Sequence, residues 1–268
     1  MKSDKTFDGS IPRLYEEYLV PLIFQPYADD LANRLASRTL LRVLEIAAGT
    51  GVVTRRLAST LPVSVSVVAT DLNQPMLGMA AEVGTSRPVE WRAADAMQLP
   101  FDDGEFDAVV CQFGVMFFPD KSKAFSEARR VLRPGGVFLF SAWDRIEENE
   151  FAHTVTSSLE AIFPDDPPRF LARTPHGYHD RTVVERHLKD GGFDAPDVHT
   201  VALRSTAASP RIPAVAYCQG TPLRNEIEAR DKSRLDDATD LAAAAIERQF
   251  GLGPVDGKIQ AHIFAAER

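Results

Sequence analysis

The chain has 268 residues, 44% of them hydrophobic and 25% charged, which is enough for one large domain with its own core. Its formal net charge of -8 disfavours a nucleic-acid substrate, because an acidic surface repels phosphate backbones. Two widely separated cysteines do not suggest a disulfide framework, and no run of 18 apolar residues is present that could span a membrane.

The N-terminal half alternates helical patterns with short apolar runs. Residues 1–10 are polar and lack the apolar region of a signal peptide, and Ile11–Ser37 predicts two helices. Strands that alternate with helices form βαβ units with a parallel sheet, and continuously apolar strands are typical of a sheet covered on both faces. The predicted strands are Leu41–Ile46, Val63–Thr70, Val89–Arg92, Phe106–Phe113 and Val137–Ala142, and the predicted helices between them are Gly51–Leu61, Pro75–Val83 and Lys121–Leu132, with Arg133–Gly136 as a turn.

The C-terminal half is less regular. An insertion of about fifty residues, Ser205–Asp256, separates its two predicted strands, and insertions of that length usually carry function or cover a site. The predicted elements are helices at Glu147–Phe163, Thr182–Asp190 and Leu235–Phe250, strands at Val198–Leu203 and Lys258–Ala265, and a loop at Asp165–Gly177.

The most informative stretch is Val43–Thr54, which reads VLEIAAGTGVVT. A hydrophobic strand ends at an acid, Glu45, and a turn of small residues, Ala47–Gly51, leads into a helix. Small residues allow a ligand to approach the backbone closely. The free N–H groups at a helix N-terminus favour an anionic group such as a carboxylate.

Polar residues also end the next three strands. Asp71 closes the second strand, where an acid accepts hydrogen bonds from ribose hydroxyls. Asp95 follows the third strand, where a carboxylate can accept from an adenine amino group, and Gln112 ends the fourth. Ligands of open α/β sheets bind outside the carboxyl ends of the strands. We therefore expect Glu45, Asp71, Asp95 and Gln112 to converge on one crevice.

The string VLEIAAGTG resembles the first motif of class I S-adenosylmethionine-dependent methyltransferases. The chain is most similar to their small-molecule branch, which includes the ubiquinone and menaquinone biosynthesis methyltransferases. The motifs cover roughly residues 40–143. Besides the first motif they comprise Asp71, Ala94–Ala96 with Leu99–Phe101, Phe106–Asp107 and Leu132–Gly136.

The resemblance implies an enzyme with S-adenosyl-L-methionine as cofactor and S-adenosyl-L-homocysteine as product. It implies a Rossmann-like, doubly wound α/β fold with a seven-stranded, mostly parallel sheet, helices on both faces and a helical insertion covering the site. The expected organisation is a single domain, 1–268, with an N-terminal helical cover (1–38), a cofactor-binding core (39–143) and a substrate-side half (144–268) that holds the insertion at about 205–256.

The resemblance also assigns the cofactor contacts. The first glycine of the motif is replaced by Ala47, and its added methyl group is tolerable if this residue does not need a positive φ, so we expect binding to survive. By resemblance, Ala47, Gly49 and Gly51 line the methionine part, Glu45 reaches its amino group directly or through water, Asp71 holds the ribose, Leu72 packs on the adenine, Asp95 and Ala96 read the adenine edge, and Gln112 and Phe113 lie near the sulfonium and the substrate.

Similar enzymes often close an N-terminal tyrosine over the cofactor. Tyr15 and Tyr18 lie three residues apart, on one face of a predicted helix, and are the candidates.

Other interpretations of these residues stay open. A nicotinamide site needs a third small residue, and Thr54 fits that place poorly. Asp71 can be a helix cap, Asp95 a turn residue, and Gln112 a partner of strand-end backbone groups. Tyr15 and Tyr18 can be core packing.

No strongly marked catalytic residue is expected, because the methyl group is already activated and needs only a positioned acceptor atom. The candidates are Gln112, His153 and His179. His176 and His179, with Asp180 beside them, suggest a base or a metal site, but a polar surface loop is favoured. No third ligand is evident, so no metal is predicted.

We expect a small-molecule acceptor, no nucleic-acid or membrane partner, a cytoplasmic location, and a monomer or homodimer. We expect the acceptor pocket to be built by the N-terminal helices, residues 144–180 and residues 205–256. A small, partly hydrophobic acceptor is suggested by the apolar residues Phe117, Phe118, Phe163 and Phe170. The alternatives are an inactive cofactor-binding scaffold or regulatory partner, and a methyltransferase that acts on a macromolecule.

Overall fold

A computed structural model describes residues 7–268, so part of the N-terminal segment 1–10 lies outside the described residues. Seven strands form one sheet in the order β3-β2-β1-β4-β5-β7-β6, which confirms the predicted Rossmann-like fold. The strands are β1 (Arg42–Ile46), β2 (Ser66–Asp71), β3 (Glu90–Ala93), β4 (Phe106–Gln112), β5 (Leu132–Trp143), β6 (Asp197–Ala207) and β7 (Val255–Glu267).

The first five strands pair in parallel, and β7 is antiparallel. The helices are α1 (Ile11–Leu14), α2 (Gln25–Ala36), α3 (Val52–Thr60), α4 (Gln74–Val83), α5 (Lys121–Val131), α6 (Glu150–Ser158), α7 (Phe170–Arg173), α8 (Arg181–Asp190), α9 (Arg211–Gln219), α10 (Leu223–Arg230) and α11 (Leu235–Phe250). The helix predicted at Leu235–Phe250 is thus confirmed at both ends. No described helix is long and apolar enough to cross a bilayer.

The chain forms two compact units. The sheet unit comprises residues 25–142, 178–201 and 261–268, and the helical unit comprises residues 7–24, 143–177 and 202–260 of the described chain. The helical unit therefore holds residues 205–256, most of residues 144–180 and the first part of the N-terminal helices, whereas α2 belongs to the sheet unit. The organisation as a single domain stays a prediction.

The register of the central strands sets where the candidate residues lie. Glu45 in β1 is opposite Ala69 in β2 and Val110 in β4, and all three are buried. Parallel pairing in this register brings the carboxyl ends of neighbouring strands to one edge of the sheet. The residues that follow each strand consequently lie close together.

The N-terminal helices differ from the prediction of two separate helices. Helical residues run from Ile11 to Ala36, and the middle stretch Tyr15–Phe24 is wound as a π-helix that contains Pro21. Proline has no N–H to donate and disfavours regular α-helical hydrogen bonding, which is consistent with the altered winding there.

The predicted turn at Arg133–Gly136 is wrong in part, because β5 already begins at Leu132. Phe106 pairs with Leu132 whereas Ala108 pairs with Val137, so the residues between bulge out of the ladder. The C-terminus holds this bulge within the sheet. Gly135 N donates to Arg268 O at 3.1 Å, and Arg268 N donates to Gly136 O at 2.9 Å.

Two predictions in the second half are also wrong in part. The helix predicted at Glu147–Phe163 is α-helical only over Glu150–Ser158: the Asn149 amide before it pairs with the backbone of Gln260, and a 3-10 turn, Leu159–Ala161, follows it. The predicted loop Asp165–Gly177 contains the short helix α7, since the Glu226 carboxylate accepts from the N–H groups of Arg169 and Phe170. Both partners are remote in sequence.

Candidate cofactor-binding site

The turn after β1 winds tightly because three of its residues adopt positive φ. The φ angles are +54° at Ala47, +58° at Gly49 and +85° at Gly51. Ala48 N donates to Thr70 O at 2.9 Å, which ties the turn to β2. Gly51 is the N-cap of α3. The backbone thus passes directly from the end of a strand to a helix N-terminus that can receive an anionic group.

From the sequence, alanine is expected to be tolerated in the first motif only if this residue does not need a positive φ. In the structure, Ala47 does adopt a positive φ. The left-handed region costs a residue with a Cβ roughly 1–2 kcal/mol. Gly114 accommodates the methyl group, because a Cβ there would lie 2.5 Å from Ala47 Cβ and 2.8 Å from Cys111 Sγ. The substitution in the first motif is therefore matched by a residue without a side chain after β4. That binding survives stays a prediction.

Asp71 connects the end of β2 to the glycine turn. Its Oδ2 accepts from Gly49 N at 2.8 Å and its Oδ1 accepts from Asn73 N at 2.7 Å. The N-cap of α4 is Asn73, so Asp71 does not occupy the helix-cap position considered as an alternative. Each carboxylate oxygen retains acceptor capacity for a ribose hydroxyl. Burial raises the pKa of Asp71, while these backbone N–H groups oppose the shift.

Glu45 is buried at the end of β1, with an exposed fraction of 2%. Burial raises its pKa to about 8, although a hydrogen bond from Thr54 and the charge of Arg55 both act to lower it. The Thr54 hydroxyl donates to Glu45 Oε2 at 2.5 Å. From the sequence, Thr54 is considered only as a poor fit to the third small residue of a nicotinamide site. In the structure it is the hydrogen-bond partner of Glu45, the acid of the first motif. The sequence signal that predicts this hydrogen bond is a threonine in the first turn of the helix, nine residues after the acid at the end of the strand.

The residues predicted to face the adenine lie after β2 and β3. Leu72 has an exposed fraction of 62%, which is unusual for a leucine next to a buried acid, while Ala96 is buried. Asp95 is half-buried, and its Oδ1 accepts from Met97 N at 2.9 Å. This bond shows that Asp95 does serve as a turn residue. Its other oxygen is the one that can accept from a ligand.

Gln112 and Phe113 end β4. Gln112 is half-buried, and Phe113 has a φ of +50°, with its N–H donating to Ser141 Oγ at 3.1 Å. The Phe113 ring packs edge-on against Tyr27, with the centroids 5.2 Å apart. The ring is therefore anchored in the sheet unit, and its predicted place near the sulfonium stays a prediction.

Tyr15 and Tyr18 belong to the helical unit and have different surroundings. Tyr15 stacks on Phe24, and Tyr18 is bonded to Glu17, which raises the pKa of the phenol. A π-helical turn takes up more residues than an α-helical turn, so residues three apart no longer lie one above the other as in an α-helix. Their predicted contact with the cofactor stays a prediction.

The histidine candidates also have different surroundings. His153 is exposed on α6, and His179 is exposed next to Asp180, which caps α8. His176 is buried, with its Nδ1 2.8 Å from Asp144 O. Within residues 7–268, no group of three His, Cys, Asp or Glu side chains could hold a metal ion.

Ten of the predicted cofactor residues lie within the sheet unit, around the carboxyl ends of β1 to β4. The buried Thr50 Oγ1, which sequence reasoning did not single out, has no hydrogen-bond partner among the described residues. An unsatisfied buried hydroxyl, an exposed Leu72 and the acceptor capacity of Asp71 fit a polar ligand with one apolar face. The residues present therefore fit S-adenosylmethionine.

Comparisons with known proteins agree with this site. A family model described as a methyltransferase domain matches residues 44–140. The ubiquinone/menaquinone biosynthesis C-methyltransferase UbiE of Escherichia coli O1:K1 / APEC is 30% identical over 172 residues, which are 59% of this chain and 68% of that protein.

Solved structures share the fold at lower identity. The YcgJ protein of Bacillus subtilis is 18% identical with a TM-score of 0.55, over 91% of this chain and 99% of that one. Phosphoethanolamine N-methyltransferase 2 of Haemonchus contortus, in complex with S-adenosyl-L-methionine, is 20% identical with a TM-score of 0.57, over 96% and 56%. The motifs, the strand order and the coverage of the Escherichia coli relative together show that the chain belongs to the class I S-adenosylmethionine-dependent methyltransferases.

Proposed function

We propose that this methyltransferase transfers the methyl group of S-adenosylmethionine to a small-molecule acceptor. The observation that carries the cofactor part of the proposal is the bond between Asp71 Oδ2 and Gly49 N, which joins the end of β2 to the glycine turn after β1. This bond connects Asp71, which is expected to hold the ribose, to the glycine turn, which is expected to line the methionine part of the cofactor.

Each end of the cofactor has a group of matching chemistry. Asp71 accepts from the ribose hydroxyls, and the exposed side chain of Leu72 covers one face of the adenine. Asp95 and Ala96 border the adenine edge. The buried acid Glu45 provides negative charge for the amino group, either directly or through water.

The acceptor side supports a small molecule. Parts of all three chain segments predicted to form the pocket lie in the helical unit, where the insertion after β6 contributes α9, α10 and α11. The acidic charge of the chain opposes a polyanionic substrate. The Escherichia coli relative is named for ubiquinone and menaquinone biosynthesis, and this supports an acceptor of low molecular mass.

When bound, S-adenosylmethionine supplies an electrophilic methyl group on a sulfonium. The chain has to orient the acceptor atom and exclude water, and both lower the barrier without a strongly marked catalytic group. A base is needed only where the acceptor must lose a proton.

The test is an assay of S-adenosylhomocysteine release with panels of small phenols, amines and carboxylic acids, and with bulk RNA and protein. We expect release with at least one small-molecule panel and background release with the macromolecules. Release with RNA or protein alone would overturn the small-molecule acceptor. Tight binding of S-adenosylhomocysteine without release in any panel would favour the inactive scaffold.

A further inference from the structure

Two buried threonines bond to Glu45, and they hold different parts of this residue. The Thr54 hydroxyl donates to the carboxyl oxygen Oε2 at 2.5 Å, and the Thr70 hydroxyl donates to the main-chain oxygen of Glu45 at 3.0 Å. The exposed fractions are 0% for Thr54, 1% for Thr70 and 2% for Glu45. Helix α3 therefore holds the carboxyl group, while the neighbouring strand β2 holds the backbone that carries it.

The Thr54 hydroxyl is directed at the acid rather than at its own helix. A threonine within a helix commonly turns its hydroxyl to a carbonyl oxygen three or four residues earlier. The residue four positions before Thr54 is Thr50, and its carbonyl oxygen accepts from Arg55 Nη1 at 2.7 Å. The hydroxyl bond to Glu45 consequently links the first turn of α3 to the end of β1 instead of closing a local turn.

This bond holds the acid in place before a ligand arrives. A glutamate side chain has several rotatable bonds, and ordering them on binding reduces the affinity for a ligand. A side chain that is already fixed by a hydrogen bond avoids that loss. Because Thr54 engages Oε2, the carboxyl group retains its acceptor capacity mainly on Oε1. A ligand amino group would thus meet a carboxyl group that is already oriented.

The hydroxyl also favours the charge state that a ligand ammonium group requires. Burial raises the pKa of Glu45, and the hydrogen bond from Thr54 is the strongest effect that opposes this shift, ahead of the charge of Arg55. A donated hydrogen bond stabilises the carboxylate relative to the neutral acid. Thr54 therefore supports an ion pair with a ligand both by the position of the acid and by its charge.

We infer that Thr54 is a positioning residue, which holds the Glu45 carboxylate for the amino group of the cofactor and thereby sets the preference for ligands that carry this group. The inference rests on the proposed function, because it needs a cofactor with an amino group near Glu45. Thr54 acts through Glu45, and the hydroxyl itself does not have to touch the ligand.

A purely structural role of Thr54 has a different consequence. If Thr54 only ties α3 to β1, loss of its hydroxyl weakens the fold and lowers the affinity for every ligand of the site by the same factor. A positioning role lowers the affinity selectively, for ligands with the amino group. Two ligands separate these roles, namely S-adenosylhomocysteine and its deaminated analogue, in which a hydrogen atom replaces the amino group.

Calorimetric titration at about pH 8 gives the ratio of the two dissociation constants, which we call the amino preference. We expect an amino preference of about tenfold or more for the unmodified protein, because a carboxylate and an ammonium group form a charge-assisted bond. Thr54→Val keeps the shape of the side chain without its hydroxyl and should reduce the amino preference to about threefold or less. Thr54→Ser keeps the hydroxyl and should retain the preference. Thr54→Ala replaces Thr54→Val if that protein does not fold.

The pH profile of the amino preference is a second measurement. Removal of the Thr54 hydrogen bond raises the pKa of Glu45 further, so the amino preference of Thr54→Val should begin to rise at a higher pH than that of the unmodified protein. The charges that act on Glu45 are those of Arg55 and Asp71, and both are the same in all of these variants.

Thr70→Val is the matched control, because it removes a buried hydroxyl that bonds to the main chain of Glu45 and not to its carboxyl group. Any loss of affinity in this variant should be the same for both ligands. An unchanged amino preference in Thr54→Val, or an equal loss of it in Thr54→Ser, overturns the inference. A loss in Thr70→Val as large as that in Thr54→Val also overturns it.

The unmodified protein separates this result from the proposed function. Binding of S-adenosylhomocysteine without an amino preference rejects the positioning role of Thr54 alone. A folded protein that binds neither ligand rejects the proposed function.

Discussion

The sheet unit and the helical unit use the sequence in different ways. In the sheet unit the candidate residues lie at or just after the carboxyl ends of consecutive strands, from Glu45 to Phe113, and their places are set by strand ends and one glycine turn. In the helical unit, ring contacts join remote segments: Phe24 of the π-helix lies 6.2 Å from Trp143 at the end of β5, and Trp143 lies 5.9 Å from His176. Local rules thus specify the candidate residues of the sheet unit, whereas the packing of the helical unit depends on contacts between remote segments.

Both units also hold irregular backbone at their candidate sites. The non-glycine residues with positive φ among residues 7–268 are Ala47 and Phe113, at the ends of the neighbouring strands β1 and β4. The helical unit has the π-helix instead. Strained conformations are frequent at ligand sites, where the surrounding structure holds functional groups in positions that an unstrained backbone would not give them.

The largest effect on stability is expected at Gly114, which lies next to Ala47 and follows Phe113, the two residues with strained backbone at the ends of β1 and β4. A methyl group at Gly114 collides with Ala47 Cβ and Cys111 Sγ, so Gly114→Ala should lower the free energy of unfolding by about 3 kcal/mol. Ala47→Gly in the same chain should recover part of that loss. Urea unfolding measures both.

The matched control for this prediction is Gly78→Ala in α4. A Cβ at Gly78 meets nothing within 4 Å, so the change should stabilise the helix by up to about 1 kcal/mol. The contact between the two strand ends is refuted if Gly114→Ala and Gly78→Ala have the same effect.

The helical unit should depend on one remote carboxylate. Glu226 in α10 accepts from Arg169 N and Phe170 N and pairs with Arg173 at 2.5 Å. Glu226→Ala leaves those donors unsatisfied and should cost about 2 kcal/mol. Glu228→Ala removes a half-exposed pair with Arg224 on the same helix and should cost less than about 0.5 kcal/mol. Similar losses in urea unfolding for the two variants would show that α7 does not need this carboxylate.

Cofactor binding should be coupled to a proton. Because burial raises the pKa of Glu45 to about 8, the carboxyl is mostly protonated at pH 7. A ligand amino group favours the carboxylate, so up to about one proton should be released per bound S-adenosylhomocysteine, and affinity should rise as the pH increases towards 8. The same raised pKa makes the ligand-free protein less stable as the pH rises from 4.5 to 8.

Calorimetric titration in buffers of different ionisation enthalpy measures this proton count. Glu45→Gln, which cannot ionise, should release none from this position, and its affinity should vary less with pH. An unchanged proton release in Glu45→Gln would assign the proton to another group.

The smallest effect concerns the alanine in the first motif. Ala47→Gly removes the cost of a left-handed conformation and should raise the free energy of unfolding by up to about 1 kcal/mol. Ala48→Gly, in the same turn without a positive φ, should be destabilising. Thermal unfolding of the two variants distinguishes them, and destabilisation by Ala47→Gly would show that its methyl contacts outweigh its strain.

Sequence reasoning predicted the sheet unit well because its signals are local. Strand ends, the glycine turn and Asp71 could be read from short windows, and the Leu235–Phe250 helix from its periodicity. The pairing of Arg268 with Gly135 and the Glu226 cap of α7 could not, since each depends on a partner outside its window. The π-helix was missed because the residues of Tyr15–Phe24 give no signal that distinguishes it from an α-helix. The left-handed Ala47 was missed because alanine gives no signal of a positive φ.

The most direct test of the account is calorimetric titration with S-adenosylhomocysteine of the unmodified protein and of Asp71→Ala, Asp71→Asn and Asp256→Ala. Asp256 is an exposed partner of Arg204 and serves as the control carboxylate. We expect an affinity loss of about a hundredfold for Asp71→Ala, a smaller loss for Asp71→Asn and no loss for Asp256→Ala. Unchanged binding by a folded Asp71→Ala protein, or no binding by the unmodified one, would contradict the assignment of the site.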